Sequence, residues 1–213
     1  MPRQLFLGVS PKAAPPRKPK NLDRRPREHL TEAEVMRLVE AAGSRGRFPW
    51  RDAALILVMY RHGLRVSELV ALRWDMLDLA AGLIHVRRVK NGTPTTHPLT
   101  GKELRHLRRW QAEQSKLCGG DPPPHVFTSG RGLNDAPISA DRVRAIVEAA
   151  GIEAVGITMP IHPHMLRHSC GYYLASKGTD TRAIQLYLGH KNIQNTVGYT
   201  ALSPDRFRGL WKD

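Results

Sequence analysis

The segment His162-Pro163-His164-Met165-Leu166-Arg167-His168 sets three histidines around one arginine. On a helix, His164 and Arg167 are three positions apart and project from one face. His164 and His168 stand at the four-residue spacing of zinc-binding helices. No Glu lies between them to act as a base, however, and the adjacent arginine would repel a cation. An anion suits the cluster better. Arginine offers a planar fork for two phosphate oxygens, and a histidine adds one more hydrogen bond.

A second arginine stands in Gly63-Leu64-Arg65-Val66-Ser67-Glu68-Leu69. Gly63 can end a helix in a left-handed turn and so present Arg65 at the start of the next one. Glu68 could orient or neutralise that guanidinium; by itself the motif fits equally a surface salt bridge, worth under ~1 kcal/mol. Lys90 lies beside the turn signal Asn91-Gly92, where an isolated lysine is ordinarily just solvated. His190 follows Leu188-Gly189, and Tyr199 comes nine residues later in Val197-Gly198-Tyr199-Thr200. No Walker-type glycine loop is present: Gly130-Arg131-Gly132-Leu133 lacks the Lys-Ser/Thr that grips phosphates. Nor is there the carboxylate cluster that a two-metal nuclease needs. Neither a cofactor nor a metal is therefore expected.

The elements that must position these groups are mostly helical. Thr31-Glu32-Ala33-Glu34 makes a capping box before the apolar positions Val35, Leu38 and Val39, with Gly43 and Gly46 closing that helix. A second helix is predicted from about Pro49 through Ala53, Leu57 and Tyr60 to Gly63, and a short third one from Ser67 to Leu72. Leu83-Ile84-His85-Val86 reads as a strand, Asn91-Gly92 as a turn, and Thr95 to Leu99 as the antiparallel return. A second capping box, Thr100-Gly101-Lys102-Glu103, opens a helix through Leu104, Leu107 and Trp110. Asp121-Pro122-Pro123-Pro124 breaks the chain. Ser139 caps a helix that carries Val143, Ile146 and Val147 and ends near Gly151. Further helices are expected at 164–176 and 180–188, and a short terminal one after Pro204. The fold class is thus mainly α with one small antiparallel β-hairpin or sheet.

Charge points to the partner. Over 213 residues the chain carries 33 Lys+Arg against 19 Asp+Glu, a formal net charge of +14. Residues 1–28 hold eight Lys/Arg, two acids and six of the sixteen prolines. Such a stretch cannot build a regular hydrogen-bond ladder, so it reads as a disordered basic arm, either a DNA contact or a solvated tail. The body, 29–213, is itself basic. No run approaches the ~20 apolar residues of a membrane span, and no signal-peptide core precedes the body. Two cysteines, Cys118 and Cys170, make no disulfide framework and are expected to be inert thiols. A soluble, cytoplasmic, nucleoid-associated protein that meets a polyanion, nucleic acid above all, is the expectation.

Order and spacing sharpen this. Arg65, then a hairpin Lys90, then His164-x-x-Arg167, then Leu188-Gly189-His190, then Tyr199 resembles the tyrosine recombinase (phage integrase) family over about residues 30–205. Gly63 to Leu69 looks like the family's first arginine box, His162 to Ser169 like its second, and Tyr187 through Tyr199 like its nucleophile segment. Lys90 to Leu99 and His162 to Cys170 look closest to the short fimbrial phase-variation invertases, which consist of little beyond the catalytic domain. The N-terminal core-binding domain of most of the family has no counterpart in the chain.

The resemblance implies a catalytic domain over 29–213 that cleaves and rejoins duplex DNA through a 3′-phosphotyrosyl intermediate. It assigns Arg65 and Arg167 to the non-bridging oxygens of the scissile phosphate, His164 and His190 to further hydrogen bonds, and Lys90 to protonation of the departing 5′ oxygen. Tyr199 is the implied nucleophile, helped by a nearby histidine as base, and Glu68 a supporting residue. Tyr60, Tyr172, Tyr173 and Tyr187 sit at apolar helical spacings and read as core or interface residues, as do Trp74 and Trp211. The implied partners are double-stranded DNA, a homo-tetramer on two sites and accessory DNA-bending proteins. The segment after Tyr199, with Phe207, Leu210 and Trp211, is expected to dock on a neighbouring protomer. A non-catalytic DNA-binding regulator and a type IB topoisomerase-like relaxing enzyme are the rival classes.

Overall fold

A computed structural model describes residues 27–88, 93–129 and 136–201. Helix α1 (Glu32–Gly43) starts at the Thr31 capping box: the Thr31 hydroxyl accepts from the Glu34 N–H, and the Glu34 carboxylate accepts from the Thr31 N–H at 2.8 Å. Helix α2 (Pro49–Arg61) is the core of the molecule. Every residue from Ala53 to Tyr60 is buried, because this helix is apolar all round rather than along one stripe. Around it pack α1, α3 (Val66–Val70) and the long α4 (Gly101–Cys118); α5 (Ala140–Glu153) packs on α1 and α3, and α6 (Pro163–Ser176) meets both α2 and α5. Helices α7 (Thr181–Leu188) and α8 (Gln194–Thr200) lie against α6 and against each other. No helix among the described residues is long and apolar enough to cross a membrane.

The sheet is antiparallel, β1 (Leu77–Asp78), β2 (Leu83–Val86) and β3 (Thr95–Pro98), in that spatial order. Its register pairs Ile84 with His97 and Val86 with Thr95. Strand β1 is an addition to the expected hairpin; two residues are too few to show a period of two. The Asn91-Gly92 turn and Lys90 lie outside the described residues, as do the expected helix after Pro204 and nearly all of the 1–28 segment.

The short third helix runs Val66–Val70 rather than from Ser67 to Leu72, and two further boundaries and one helix differ from expectation. Helix α6 begins at Pro163, which is acceptable at a first turn because its missing N–H has no helical partner there. Helix α5 runs past Gly151 to Glu153: a Cβ at Gly151 would lie 2.8 Å from Ile161 Cγ1, so the glycine marks close packing, not a helix end. Helix α8 carries Tyr199 although Thr196, Val197, Gly198 and Thr200 are all weak helix formers. Packing of Thr196, Tyr199 and Thr200, all buried, outweighs that local preference.

Candidate active site

The Arg65 turn is made by Gly63, whose φ of +55° ends α2 in the left-handed region. Arg65 is the N-cap of α3 in extended geometry, and Glu68 reaches back from the first turn to accept its backbone N–H at 3.0 Å. The other carboxylate oxygen accepts from Arg65 Nη1 at 2.7 Å. This is more than a surface salt bridge, because the Glu68 side chain is 1% exposed and that of Arg65 is 28% exposed. Glu68 therefore aims one guanidinium from the protein interior toward solvent. Its carboxyl is held below the usual range; burial opposes this, and the Arg65 N–H and the Arg88 and Arg65 guanidiniums overcome it.

Arg167, on α6, is 2% exposed. It donates Nη1 to the Gly63 carbonyl and Nη2 to the Leu188 carbonyl at 2.7 Å. These acceptors lie where α2 and α7 end, so the second arginine is fixed by backbone groups that have no helical partner there. Its Nη1 lies 3.9 Å from Glu68 Oε2. Burial, with the fields of Arg65 and Arg88, pushes Arg167 down to about 10, and it stays a cation at neutral pH. One turn earlier, His164 is exposed and packs edge-on against His168, with ring centres 4.5 Å apart. Its pKa is lowered by desolvation and then by Arg167.

The segment from Gly189 to Tyr199 comes from the other side. Gly189, at φ +65°, caps α7 and turns the chain so that His190 faces α8, where Nδ1 lies 2.9 Å from Thr196 Oγ1. Burial, then the cations Arg167, Arg65 and Arg88, lower His190 to about 4, so the ring is neutral. Tyr199 is 6% exposed, its ring between that of His190, stacked at 6.2 Å, and that of Tyr172, edge-on at 5.1 Å. Its hydroxyl lies 2.8 Å from His168 Nδ1. Burial lifts the phenol to about 12, while Arg167, and more weakly Arg65, pull the other way. His168 is lowered to about 4 by burial and by His164.

The chain thus brings Arg65, His164, Arg167, His190 and Tyr199 into one cluster, with Glu68 tying the two arginine boxes together. Lys90 lies outside the described residues. Three participants were not singled out from the sequence. His168 sits in the quoted box and touches the phenol itself. Gly171, one turn on, admits the Tyr199 ring: a Cβ there would lie 2.6 Å from Tyr199 Cε2. Arg88 is a buried cation on Glu68, with Nη1 to Oε2 at 2.9 Å. Its signal was present in the sequence: Ile84, Val86 and Arg88 share the inward face at a spacing of two.

The inward face also couples the hairpin to the nucleophile segment. His97 of β3 stacks on Tyr187 of α7 with ring centres 3.8 Å apart, and its Nδ1 lies 3.1 Å from His62 Nδ1. His62 in turn meets Glu103 at 2.8 Å, the same carboxylate that closes the Thr100 capping box. Tyr187, expected to be a packing residue, serves as one here, and its hydroxyl donates to the Arg61 carbonyl at 2.9 Å.

A helical domain with two interior-held arginines and a buried tyrosine opposite them defines a tyrosine-type DNA breaking-and-rejoining enzyme. The chain belongs to the phage integrase family, whose model matches residues 28–206, and it is a site-specific tyrosine recombinase. It is 47% identical over 188 residues to the type 1 fimbriae regulatory protein FimE of Escherichia coli K12, covering 87% of this chain and 91% of that protein. The corresponding figures for FimB of the same strain are 42% over 194 residues, with 89% and 92% covered. Among solved structures, the XerA recombinase matches with a TM-score of 0.69 and 28% identity over 89% of this chain. The chain spans 63% of the length of XerA.

Proposed function

We propose that Tyr199 attacks a DNA phosphorus held by Arg65 and Arg167, and that the recombination this chain performs is inversion of a DNA segment. The observation that carries the mechanism is the Tyr199–His168 hydrogen bond at 2.8 Å inside the field of Arg167. With the phenol protonated and the imidazole neutral, the phenolic hydrogen has an acceptor in place. As the phenolic oxygen bonds to phosphorus, its proton passes to His168 Nδ1 and the bond to the 5′ oxygen breaks. That oxygen takes its proton from Lys90. Reversal by a second 5′ hydroxyl, whose proton returns to Lys90 as its oxygen bonds to phosphorus, breaks the bond to Tyr199 and releases the phenol, which recovers its proton from His168. The phosphotyrosine diester keeps roughly the energy of the bond it replaces, so no nucleotide is needed.

Charge stabilisation is the larger part of the work. A phosphodiester gains a negative charge on reaching five-coordination, and preorganised guanidiniums in a shielded site oppose it without reorganising. Arg167 is fixed by two carbonyls and Arg65 by Glu68, so each has N–H groups left for the non-bridging oxygens. His190, with Nδ1 engaged by Thr196, offers Nε2 to the same phosphoryl group, and His164 adds a second imidazole from the exposed side.

The likeness to FimE and FimB, at 47% and 42% identity, favours inversion over integration or excision. A homo-tetramer on two sites and accessory bending proteins complete the proposal. Residues 29–213 form the catalytic domain. The basic residues of 1–28 contact DNA, a reading that rests on their charge; the chain that follows is anchored on α6, where Leu30 donates its N–H to Ser169 Oγ at 2.7 Å and His29 stacks on Tyr172.

A nicked suicide duplex carrying the cognate repeat tests the chemistry. An SDS-resistant protein–DNA adduct is expected, and Tyr199→Phe abolishes it; an adduct that survives this substitution overturns the assignment. A plasmid with two inverted repeats tests the outcome. Inverted product supports the reading, and relaxation of plasmid that lacks repeats replaces it with a topoisomerase.

A further inference from the structure

Arg88 stands just beyond the end of β2, and its side chain is fully buried. A buried guanidinium is costly unless its donors find partners; the two terminal nitrogens of this one make three hydrogen bonds, while its buried Nε has no hydrogen-bond partner. Nη1 donates to Glu68 Oε2 at 2.9 Å, while Nη2 donates to the His62 carbonyl at 3.1 Å and to the Tyr187 carbonyl. Gly189 makes the room: a Cβ there would lie 2.6 Å from Arg88 Cγ. One side chain from the hairpin therefore grips the Arg65 box, the end of α2 and the end of α7.

The acceptor capacity of Glu68 gives this grip a consequence for the phosphate. A carboxylate oxygen has two lone pairs. Those of Oε2 are taken by the Arg65 N–H at 3.0 Å and by Arg88 Nη1 at 2.9 Å. Arg167 Nη1 stops 3.9 Å from the same oxygen and turns to backbone carbonyls instead. Three guanidiniums thus surround one carboxylate and leave an excess of two positive charges where a phosphate would sit. Without Arg88, Oε2 regains a lone pair, and a small movement would join it to Arg167. Loss of the Arg88 cation alone lowers the excess to one, and that pairing would in addition tie up the arginine that the transition state needs.

We propose that Arg88 is a positioning residue which, by occupying Glu68 Oε2, holds Arg167 at 3.9 Å from that oxygen, short of a hydrogen bond to it, and so available to the scissile phosphate. The inference rests on the phosphate-binding reading of Arg65 and Arg167 given above. It differs from a role in folding alone, because it makes the harm done by losing Arg88 depend on the negative charge of Glu68.

The test is a double-mutant cycle read by single-turnover adduct formation at saturating protein, with duplex affinity measured separately. Arg88→Met is expected to slow cleavage about 30-fold, of the order seen when one donor to a transition-state charge is removed. Affinity is expected to stay within about threefold, because Arg88 itself is out of reach of DNA. Adding Glu68→Gln to Arg88→Met removes the anion that would capture Arg167, and the double variant is expected to cleave at least about threefold faster than Arg88→Met. Arg88→Lys, which keeps a cation on Oε2 but loses the carbonyl contacts, is expected to retain more than about a tenth of the wild-type rate.

Arg88→Met at wild-type speed, or a double variant no faster than Arg88→Met, overturns the proposal. Where Arg88→Met does not fold, Arg88→Lys decides: a native melting temperature with cleavage lost more than about a hundredfold overturns it, and a rate above the stated tenth supports it. Failure of the wild-type protein itself to form an adduct rejects the recombinase chemistry instead, so the two failures are distinguishable.

Discussion

The hydroxyl of Tyr199 and Nδ1 of His168 meet at 2.8 Å across the seam between α8 and α6. The proposed nucleophile and base thus come from different helices, and the contact exists only when α8 is docked. The pairing starts far from balance, with the phenol at about 12 and the imidazole at about 4. A phosphate entering beside His168 adds negative charge, which favours the imidazolium and raises its pKa. DNA binding itself therefore prepares the base.

His168→Ala is expected to lower the single-turnover rate of adduct formation by about 10²-fold, within the range of general-base removal, with duplex affinity changed less than about twofold. The pH–rate profile separates this from a packing defect. The wild-type rate should rise with pH as His168 loses its proton in the DNA complex, and that limb should be missing from the variant. An identical limb in both would remove His168 from the role of base.

Gly171→Ala sets two effects of opposite sign against each other. Alanine in place of glycine in a helix interior gains up to ~1 kcal/mol of helix propensity. The added Cβ would meet the Tyr199 ring at 2.6 Å, however, and overpacking a filled site costs about 1–3 kcal/mol. Overpacking wins, so the melting temperature should fall and adduct formation with it, because the displaced atoms belong to the proposed nucleophile. A raised melting temperature with full activity would mean that α8 moves aside freely.

Local cues account for what could be read in the sequence. The Thr31 and Thr100 capping boxes, the Ser139 cap and the left-handed Gly63 are decided within four residues of chain, and all appear as expected. What escaped depends on distant partners. Helix α8 is too weak in propensity to announce itself and is held by packing on α6 and α7. Arg88 finds its acceptors 20 and 99 residues away. His168 was visible as a histidine, but nothing nearby in sequence says that the phenol 31 residues on would reach it. The five proposed site residues within the described part were picked out by motif order, and the fold brings them into one cluster.

Acid should destabilise the fold well before its carboxylates titrate. His97, His168 and His190 are lowered from 6.5 to about 3, 4 and 4, chiefly by burial, so the native state keeps them neutral. The unfolded chain takes up those protons once the pH drops below about 6.5, and the native state does so only near 4 or lower. Stability is therefore full above pH 6.5 and falls as the pH is lowered through that window. Each kcal/mol lost lowers the melting temperature of a chain this size by about 2–4 °C. Melting curves from pH 7.5 to 4.5 should show a continuous fall, shallower in His97→Gln. A flat profile to pH 5 would mean that these rings are protonated in the native state.

Lys90 follows two residues after Arg88 on the connection from β2 to β3, outside the described residues. A sugar oxygen leaves poorly as an alkoxide, so a proton delivered during bond breaking is worth about 10²–10⁴ in rate. A sulfur in the same bridging position leaves as a thiolate, whose conjugate acid has a pKa of about 8.5 or somewhat higher, and needs no donor. Lys90→Ala should therefore cleave the ordinary duplex about 10²-fold or more slowly, yet cleave a 5′-bridging phosphorothiolate within about tenfold of the wild-type rate. The comparison holds binding and the tyrosine constant and changes only the demand for a proton. If the sulfur substrate is slowed as much as the oxygen one, Lys90 acts on the phosphate charge rather than on the leaving group, and the proton has another source.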